Sequence, residues 1–384
     1  MKKIVVWLTV LITVMSVIVP VKAEGPEIEA PCAILTEAST GRVIYEKNAD
    51  ESLHPASITK IMTLLIIFDA VEDGSISPED TVTVSEHAAS MGGSQVFLEP
   101  GETQTVETMI KCIAIASAND ACVAMAEHIS GSEDAFVQSM NERAEALGMN
   151  NTHFVNCCGL DADGHMTTAR DVAIMSRELI TAHPAIHDYS CIWMDTITHV
   201  TRRGESEFVL NNTNKLLKQY EWATGLKTGS TSLAKFCLSA TARRNDIELI
   251  SVIMASPSGK TRVSDSIALL NYGYGICSLY HDNNMPSIDV IPIKDGIKSD
   301  ISVEYSSQMN YLFTDKYDAS LIESHAEYLE DLEAPVQKGD VIGQLTYTYD
   351  GKFMDSIDII ASESIKKAGY GDYINSLWQC FLGN

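Results

Sequence analysis

Hydrophobic and polar positions follow two different periods in the first part of the chain. Residues 33–35 and 43–45 are apolar, and the Ser-Thr-Gly sequence at 39–41 is typical of a turn, which predicts a β-hairpin. From Ser57 to about Ala70, apolar residues recur at helical spacing. The chain therefore opens with a hairpin followed by an amphipathic helix.

The same two patterns continue to about residue 280. They predict three further helical segments, two strands and a last helix, at 104–130, 132–147, 168–181, 236–242, 248–255 and 262–272. Strands therefore open and close this region, and helices fill its middle. This order favours an α/β (α+β) fold in which both ends of the region form one sheet and a helical subdomain is inserted between them.

The pattern changes after about Tyr280. Short alternating strands and turn sequences fill residues 285–360, which predicts a small all-β sandwich domain behind a linker at 281–284. The tail, 361–384, is helical again, with apolar residues on one face: Tyr373, Ile374, Leu377, Trp378 and Phe381. Two interpretations stay open for the tail, a helix at a membrane surface or a helix packed on the β domain.

The N-terminus has the layout of an export signal. Lys2 and Lys3 precede an apolar run, and small residues follow up to Ala23, which predicts a signal peptide at 1–23. An uncleaved membrane anchor is the alternative. Cleavage removes three lysines and no acids, so the net charge goes from −25 to about −28. A surface this acidic repels nucleic acid. The signal peptide predicts that the protein acts outside the cytoplasm. The mature chain would then begin with a domain at 24–280, followed by the β domain.

Nine cysteines are spread irregularly along the chain, and no C-x-x-C pair occurs among them. Zinc binding is therefore not expected, and no other metal or cofactor is indicated. Several of these cysteines lie in apolar surroundings, Cys112 and Cys237 among them. We expect most of them to be buried free thiols.

The first candidate for chemistry is the pair Ser57 and Lys60 in the sequence HPASITK. Positions three apart share one face of a helix, so the two side chains lie close together. A serine hydroxyl is a weak nucleophile that needs a neighbouring base, and a lysine is a base only when burial or another cation keeps it neutral. Taken alone, the pair is a weak signal and is more typical of an ordinary helix start that carries a solvated lysine.

Two further motifs contain residues that suit the same chemistry. In IAIASAND, Ser117 and Asn119 end an apolar run, and with a break in the helix there both could point into one cleft. The alternative is a loop with a helix cap. In GLKTGS, Lys227 supplies a second cation, Thr228 can bind a carboxylate, and Gly229 permits close approach to the backbone. The alternative there is a surface turn.

Together and in this order, S-x-x-K, S-x-N and K-T-G form the constellation of the serine penicillin-recognising enzymes. The chain resembles the D-alanyl-D-alanine carboxypeptidases, the low-molecular-mass penicillin-binding proteins of peptidase family S11. The resemblance runs from Ala33 to the C-terminus. The stretches that carry it are PASITKIMT (55–63), GGSQVFLEPGE (92–102), SANDACVAMAEHISG (117–131), MNNTHFVN (149–156), GHMTTARDVAI (164–174), NNTNKLL (211–217), GLKTGST (225–231) and APVQKGDVIGQL (334–345).

The resemblance implies a reaction and an order of events. Ser57 would attack the carbonyl between the two terminal D-alanines of a peptidoglycan stem peptide, and Lys60 would take its proton. The backbone N–H groups of Ser57 and Ser230 would stabilise the oxyanion. β-Lactams would acylate Ser57 as covalent inhibitors, and no cofactor would be needed.

The remaining motif residues would serve the substrate. Ser117 and Lys227 would pass a proton to the departing D-alanine, and Asn119 would position the acyl part. Thr228 and Arg262 would bind the terminal carboxylate. The family also has a C-terminal β-sandwich and a membrane-associating tail helix, which favours contact of residues 361–384 with a membrane.

Three departures from the family pattern leave the motif residues intact. Cys157 and Cys158 stand where proline and a polar residue are usual, Thr224 where an aspartate is common, and Ser230 where His or Tyr is frequent. Two alternatives stay open, a β-lactamase and an inactive wall-binding or penicillin-sensing module. The middle motif S-A-N and the trailing β domain argue against the β-lactamase. His54 and His165 are further candidate bases, but the lysines already supply that function.

Overall fold

The structure is a computed structural model that describes residues 25–201, 204–288, 290–372 and 374. Strands β1 (Cys32–Glu37) and β2 (Val43–Lys47) pair antiparallel and confirm the predicted hairpin. A short 3-10 helix, Ala56–Thr59, then runs directly into helix α1 (Lys60–Glu72). The helix predicted from Ser57 thus begins with a tighter turn that contains the serine.

A helical subdomain follows. Its elements are β3 (Thr81–Thr83), α2 (Glu86–Ala89), β4 (Thr103–Thr105), α3 (Val106–Ala114), α4 (Asn119–Ser130), α5 (Glu133–Ala146), α6 (Ala169–Ala182) and α7 (Ile186–Ser190). Strands β3 and β4 pair with each other. The helical segment predicted at 104–130 is interrupted between α3 and α4, where Ser117 has a φ of +61°. The structure therefore has the break that would let Ser117 and Asn119 point into one cleft.

The chain then returns to strands. It forms β5 (Met194–Thr201), β6 (Gly204–Asn211), a 3-10 helix (Lys215–Lys218), β7 (Ala223–Thr231), β8 (Lys235–Arg244), β9 (Ile247–Ser256) and helix α8 (Gly259–Ile276). The β5–β6 hairpin was not predicted. One of its faces contacts the subdomain through Ile197, His199 and Leu210, while the other is exposed and mixes threonines, glutamates and single apolar residues. That mixture hides the alternation a strand usually displays.

Five of these strands form one antiparallel sheet in the order β2-β1-β9-β8-β7. Successive residues of its strands alternate between two cores, since side chains of a strand point to opposite faces. Ile34 and Val252 pack against the helical subdomain, whereas Leu35 and Ile253 pack under α8. Both ends of the region therefore build the sheet, as the order of elements predicted, and β7 lies at its edge.

The C-terminal part is rich in short strands. They are β10 (Ser278–His281), β11 (Ile291–Pro292), β12 (Asp300–Ile301), β13 (Val303–Tyr305), β14 (Asn310–Phe313), β15 (Ile322–Tyr328), β16 (Val341–Tyr349) and β17 (Lys352–Ala361). Four of them form a sheet in the order β13-β17-β16-β15, and β10 pairs with β14. Two small apolar clusters form the interior of this part.

Two predictions concern segments at the ends of the chain. The signal peptide (1–23) and most of the tail-helix face (Tyr373, Leu377, Trp378 and Phe381) lie outside the described residues. Ile374 is described, and its side chain is 37% exposed. Within the part of the chain that the structure describes, no helix combines the length and the apolar character needed to cross a bilayer.

Candidate active site

Ser57 lies at the point where the chain turns into α1. Pro55 precedes the turn, Ala56 has a φ of +48°, and the N–H of Ile58 donates to the carbonyl of Pro55 at 3.2 Å. A left-handed alanine is uncommon and costs free energy, so the surrounding structure has to hold it. The result is a half-buried serine at the amino end of a helix, where the helix dipole favours negative charge.

Lys60 lies one turn later and is fully buried, with 0% of its surface exposed. Its Nζ is 3.1 Å from Ser57 Oγ, 2.6 Å from Asn119 Oδ1 and 2.6 Å from the carbonyl oxygen of Cys158. These neighbours are neutral, and no carboxylate pairs with Lys60 among the described residues. The S-x-x-K motif therefore juxtaposes a hydroxyl and a buried amine.

The second motif joins the site through the break between α3 and α4. Asn119 opens α4 with its N–H bonded to the carbonyl of Ser94 at 2.7 Å and its Nδ2 bonded to the carbonyl of Gly92 at 2.7 Å. A Cβ at Gly93 would lie 2.8 Å from Asn119 Nδ2. The loop 92–94 therefore fixes the asparagine and leaves its Oδ1 for Lys60.

The third motif lies on strand β7 rather than in a surface turn. Lys227 is buried, and its Nζ donates to Ser117 Oγ at 2.9 Å and to the carbonyl of Thr228 at 3.0 Å. Burial lowers the pKa of Lys227 well below its ordinary value, and the nearby cations Lys60 and Arg262 lower it further. Ser117 and Lys227 thus form a second hydroxyl–amine pair beside the first.

Gly229 explains how β7 reaches the serine. A Cβ at this position would lie 2.9 Å from the carbonyl oxygen of Pro55 and 3.1 Å from the N of Ile58. Strand β7 therefore packs directly against the 3-10 helix that contains Ser57. In the structure the close approach that glycine permits is to this helix, whereas the sequence suggested a ligand.

Thr228, Ser230 and Arg262 surround the same end of β7. Thr228 is buried with its Oγ1 2.5 Å from Thr213 Oγ1, and Ser230 is exposed. Arg262, in the first turns of α8, donates from Nη1 to the carbonyls of Gly229 and Cys237 at 3.0 and 3.1 Å. The guanidinium is thereby tied to the β7 and β8 backbones beside the motif.

His165 is excluded as a base for Ser57 by its hydrogen bonds. Its Nδ1 accepts from the N–H of Val155 at 2.9 Å, so its Nε2 carries the proton and donates to Thr59 Oγ1 at 2.8 Å. Burial lowers the pKa of His165 to about 4, which keeps it neutral. The histidine links two segments of the site and takes no proton from the nucleophile.

The cysteines are unbridged among the described residues, as expected. Cys191 is exposed, the other described cysteines are buried, and Cys380 lies outside the description. Cys158 stands beside Lys60. The hydrogen bond from the Cys157 side chain lowers the pKa of the Cys158 thiol to about 7, with Lys60 acting in the same direction and burial against it.

Sequence reasoning missed several groups that hold the site. The carbonyls of Gly92, Ser94 and Cys158 are backbone atoms, for which no residue type is diagnostic. Thr213 and Asn214, which bond to Thr228 and to the carbonyl of Gly225, belong to the stretch NNTNKLL, and that stretch was noted without a role. The run of polar residues at 211–214 was the available signal.

Two hydroxyl–amine pairs, buried between a helical subdomain and the edge strand of an antiparallel sheet, define a penicillin-recognising serine enzyme. A family model described as D-alanyl-D-alanine carboxypeptidase matches residues 19–258, and a model of the penicillin-binding protein 5 C-terminal domain matches residues 279–367. The chain belongs to the D-alanyl-D-alanine carboxypeptidase family. The fold class and the serine hydrolase class predicted from the sequence are thereby confirmed.

Individual relatives agree over most of the chain. D-alanyl-D-alanine carboxypeptidase DacF of Bacillus subtilis is 41% identical over 345 residues, covering 89% of this chain and 87% of the relative. DacA of Escherichia coli is 32% identical over 375 residues, covering 93% and 90%. The crystal structure of penicillin-binding protein 5 from Haemophilus influenzae superposes with a TM-score of 0.76 at 29% identity, covering 90% of this chain and 99% of that one.

A second solved structure matches a shorter region. The Streptomyces K15 DD-transpeptidase superposes with a TM-score of 0.61 at 29% identity, covering 66% of this chain and 99% of that one. The two alternatives, a β-lactamase and an inactive wall-binding module, are less well supported than a penicillin-binding carboxypeptidase of peptidoglycan metabolism.

Proposed function

We propose that the protein removes the terminal D-alanine from peptidoglycan stem peptides through an acyl-enzyme on Ser57. The observation that carries the proposal is the buried Lys60 amine 3.1 Å from Ser57 Oγ, with neutral groups as its other contacts. Names of relatives that specify D-alanyl-D-alanine carboxypeptidases support the choice of substrate.

Acylation begins with proton transfer from Ser57 Oγ to Lys60 Nζ as the oxygen attacks the penultimate D-alanine carbonyl. The developing oxyanion lies between the backbone N–H groups of Ser57 and Ser230. This position is reasonable because Gly229 brings β7 against the serine's own helix. Such donors act strongly when they are fixed before the reaction, since no reorganisation is needed as charge develops.

Departure of D-alanine needs a proton on its amine. Ser117 is the proposed donor, because it is hydrogen-bonded to Lys227, and this pair relays to the amine the proton that Lys60 took from Ser57, which leaves Lys60 neutral. Asn119 holds Lys60 through Oδ1 and positions the acyl part of the substrate. With Lys60 neutral again, water gives a proton to Lys60 as its oxygen bonds to the acyl carbon, and the bond from that carbon to Ser57 Oγ then breaks as the oxygen takes the proton back.

The leaving D-alanine carries a carboxylate, which we assign to Thr228 and Arg262. Both lie at the end of β7, and Arg262 is held there by two carbonyls. A planar guanidinium binds a carboxylate well. β-Lactams present a carboxylate and a strained amide to the same groups, so we expect them to acylate Ser57.

The chemistry is assigned to residues 24–280, behind a signal peptide at 1–23 that exports the protein. Residues 285–360 form the β domain, and the tail at 361–384 contacts the outer face of the cell membrane. The one-sided spacing of apolar residues supports the tail assignment, together with Tyr370, which is 85% exposed at the start of this segment.

Contact of the tail with a membrane is tested by flotation of the mature protein with anionic and neutral vesicles, with and without residues 368–384. Equal flotation of both proteins would contradict it.

The reaction is tested by measuring free D-alanine after incubation with a peptide that ends in D-Ala-D-Ala. One D-alanine should be released per peptide, and a peptide that ends in L-Ala should release none. Ser57→Ala should be inactive, and an added amine acceptor should trap part of the acyl group if transpeptidation occurs. Absence of D-alanine release by the wild type would favour the inactive wall-binding module.

A further inference from the structure

Lys60 has one contact that no motif side chain supplies. Two of its Nζ partners are side chains, Ser57 Oγ and Asn119 Oδ1, whereas the third is the carbonyl oxygen of Cys158 at 2.6 Å. The direction of a carbonyl depends on the conformation of its loop. What fixes residues 156–160, here named the lysine loop, therefore also fixes Lys60.

One side chain holds most of the lysine loop. Asn156 Oδ1 accepts from the N–H groups of Cys158, Gly159 and Leu160, at 3.2, 2.7 and 3.1 Å. Its Nδ2 donates to the carbonyl of Leu160 at 2.9 Å. An asparagine that satisfies its own following backbone in this way makes a tight local turn.

The geometry of the peptide bond connects this turn to the catalytic lysine. The carbonyl of Cys158 and the N–H of Gly159 belong to the same planar trans peptide unit, so they point in opposite directions. Because the N–H of Gly159 is directed at Asn156 Oδ1, the carbonyl of Cys158 is directed away from it, at Lys60 Nζ.

The lysine loop also packs against the backbone next to Ser57. Gly159 has a φ of +87°, and a Cβ there would lie 1.9 Å from the carbonyl oxygen of Ala56, so the loop contacts the backbone that precedes Ser57. The carbonyl of Cys157 accepts from Thr63 Oγ1, on α1, at 2.5 Å. The loop is thus attached to the helix on both sides of Lys60.

We propose that Asn156 is a positioning residue for the catalytic lysine, acting through the peptide unit between Cys158 and Gly159. This inference rests on the proposed function, in which Lys60 is the base for Ser57. Without the Asn156 acceptor, the peptide unit can rotate, and the Lys60 amine loses one of the contacts that aim it at Ser57 Oγ. The consequence is slower acylation with unchanged initial binding of the ligand.

The test is stopped-flow acylation by a fluorescent penicillin, which separates the noncovalent Kd from the acylation rate constant. We expect Asn156→Ala to lower the rate constant about 10- to 100-fold and to leave Kd unchanged, as for a small misplacement of a reacting group. Asn156→Asp keeps an oxygen that accepts the three N–H groups, so it should retain a rate within about fivefold of wild type.

Asn141 provides a matched control in the adjoining segment. Its Oδ1 accepts from the N–H of Phe154 at 2.8 Å, and its Nδ2 donates to the carbonyls of Phe154 and Val137 at 2.9 and 3.0 Å. Asn141→Ala removes a comparable set of side-chain-to-backbone bonds without touching the Cys158 peptide. It should lower the melting temperature and leave the acylation rate constant unchanged.

Each outcome decides the inference. A wild-type rate in Asn156→Ala, or equal losses in Asn156→Ala and Asn156→Asp, would overturn it while leaving the proposed function intact. If Asn156→Ala does not fold, Asn156→Gln takes its place, since the amide then lies one methylene farther out and the same loss of rate is expected. Failure of the wild type to be acylated at Ser57 would overturn the proposed function and this inference together.

Discussion

The catalytic region and the C-terminal β region bury different kinds of residue. Around Ser57 the structure encloses two lysines, with 0% and 2% of their surfaces exposed, inside the larger of the apolar cores. The β region has two small apolar clusters, and its lysine–carboxylate pairs lie at the surface, as for Lys367 and Asp295. Surface pairs of this kind contribute little to stability.

This difference shows that the region around Ser57 gives up folding stability in order to bury reactive groups. Burying a lysine without a carboxylate partner costs stability, because the amine must either lose its hydration as a cation or give up its proton, and a large core can offset that cost. The catalytic region buries two such lysines, Lys60 and Lys227, whereas none of the described β-region lysines is buried. We therefore expect substitutions in the first region to change rates and substitutions in the second to change stability alone.

The largest effect should come from Lys60→Ala, which removes the proposed base and keeps the proposed nucleophile. The rate constant for acylation of Ser57 by penicillin should fall about 10²- to 10⁴-fold, the usual contribution of general base catalysis. Stopped-flow fluorescence measures it, with circular dichroism to establish that the variant is folded. A folded Lys60→Ala that acylates within tenfold of wild type would remove the distinction between the two regions.

The next effect concerns Lys227, which Lys227→Met replaces with a neutral side chain of similar length. D-Alanine release should fall about 10²-fold, because the proposed proton donor Ser117 loses its partner. A folded Lys227→Met that retains the wild-type rate would leave the second hydroxyl–amine pair without a catalytic role.

The same variant makes a prediction about pH. The pKa of Lys227 is lowered well below its ordinary value in the folded protein, so between that lowered pKa and about 10.4 the unfolded chain binds a proton that the folded chain does not. Wild-type stability therefore falls as the pH decreases through this window. Urea unfolding should show the stability advantage of Lys227→Met growing from about pH 10 to about pH 7. A pH-independent difference would contradict burial of Lys227 in its neutral form.

A smaller effect is expected where β7 meets the 3-10 helix. Gly229→Ala places a Cβ 2.9 Å from the carbonyl oxygen of Pro55. Separation of the two segments should slow acylation about tenfold and cost about 1–3 kcal/mol of unfolding free energy, as overpacking does. Gly275→Ala is the control, because a Cβ there meets no atom within 4 Å and should leave the rate unchanged. Equal rates in both variants would show that the contact at Gly229 does not matter.

The smallest effect on activity is expected in the β region. Tyr347 is buried there, and its hydroxyl donates to Asp282 Oδ2 at 2.7 Å. Tyr347→Phe should lower the unfolding free energy by about 1–3 kcal/mol, since the bond is to a carboxylate, and should leave acylation unchanged. Chemical denaturation and the acylation assay together check this. A loss of acylation rate would show that the two regions are coupled.

The parts of the site that sequence could predict are those set by local spacing. Ser57 and Lys60 share a helix turn, so the first pair was visible as a local pattern. Ser117 ends an apolar run, but its pairing with Lys227 on a distant strand followed only from the family resemblance. Two features depend on distant segments and were not visible. The Cys158 carbonyl is a backbone atom placed by Asn156, and the space at Gly229 is filled by the helix near Pro55.

The elements of the fold also separate into those that local periodicity predicted and those that depend on tertiary contacts. The β1–β2 hairpin and α1 were predictable because their apolar residues recur with a clear period. The β5–β6 hairpin was missed because its exposed face mixes Met194, Val209 and Glu207, which obscures the alternation. Placing the K-T-G sequence on an edge strand rather than in a surface turn required the pairing of β7 with β8, which is a tertiary property.

Whether Ser57 is the nucleophile beside Lys60 is decided by the intact mass of the protein after incubation with penicillin. We expect one covalent adduct on the wild-type protein, located on the peptide that contains Ser57, and none on Ser57→Ala. A wild-type protein without an adduct, or an adduct that persists on Ser57→Ala, would contradict this expectation.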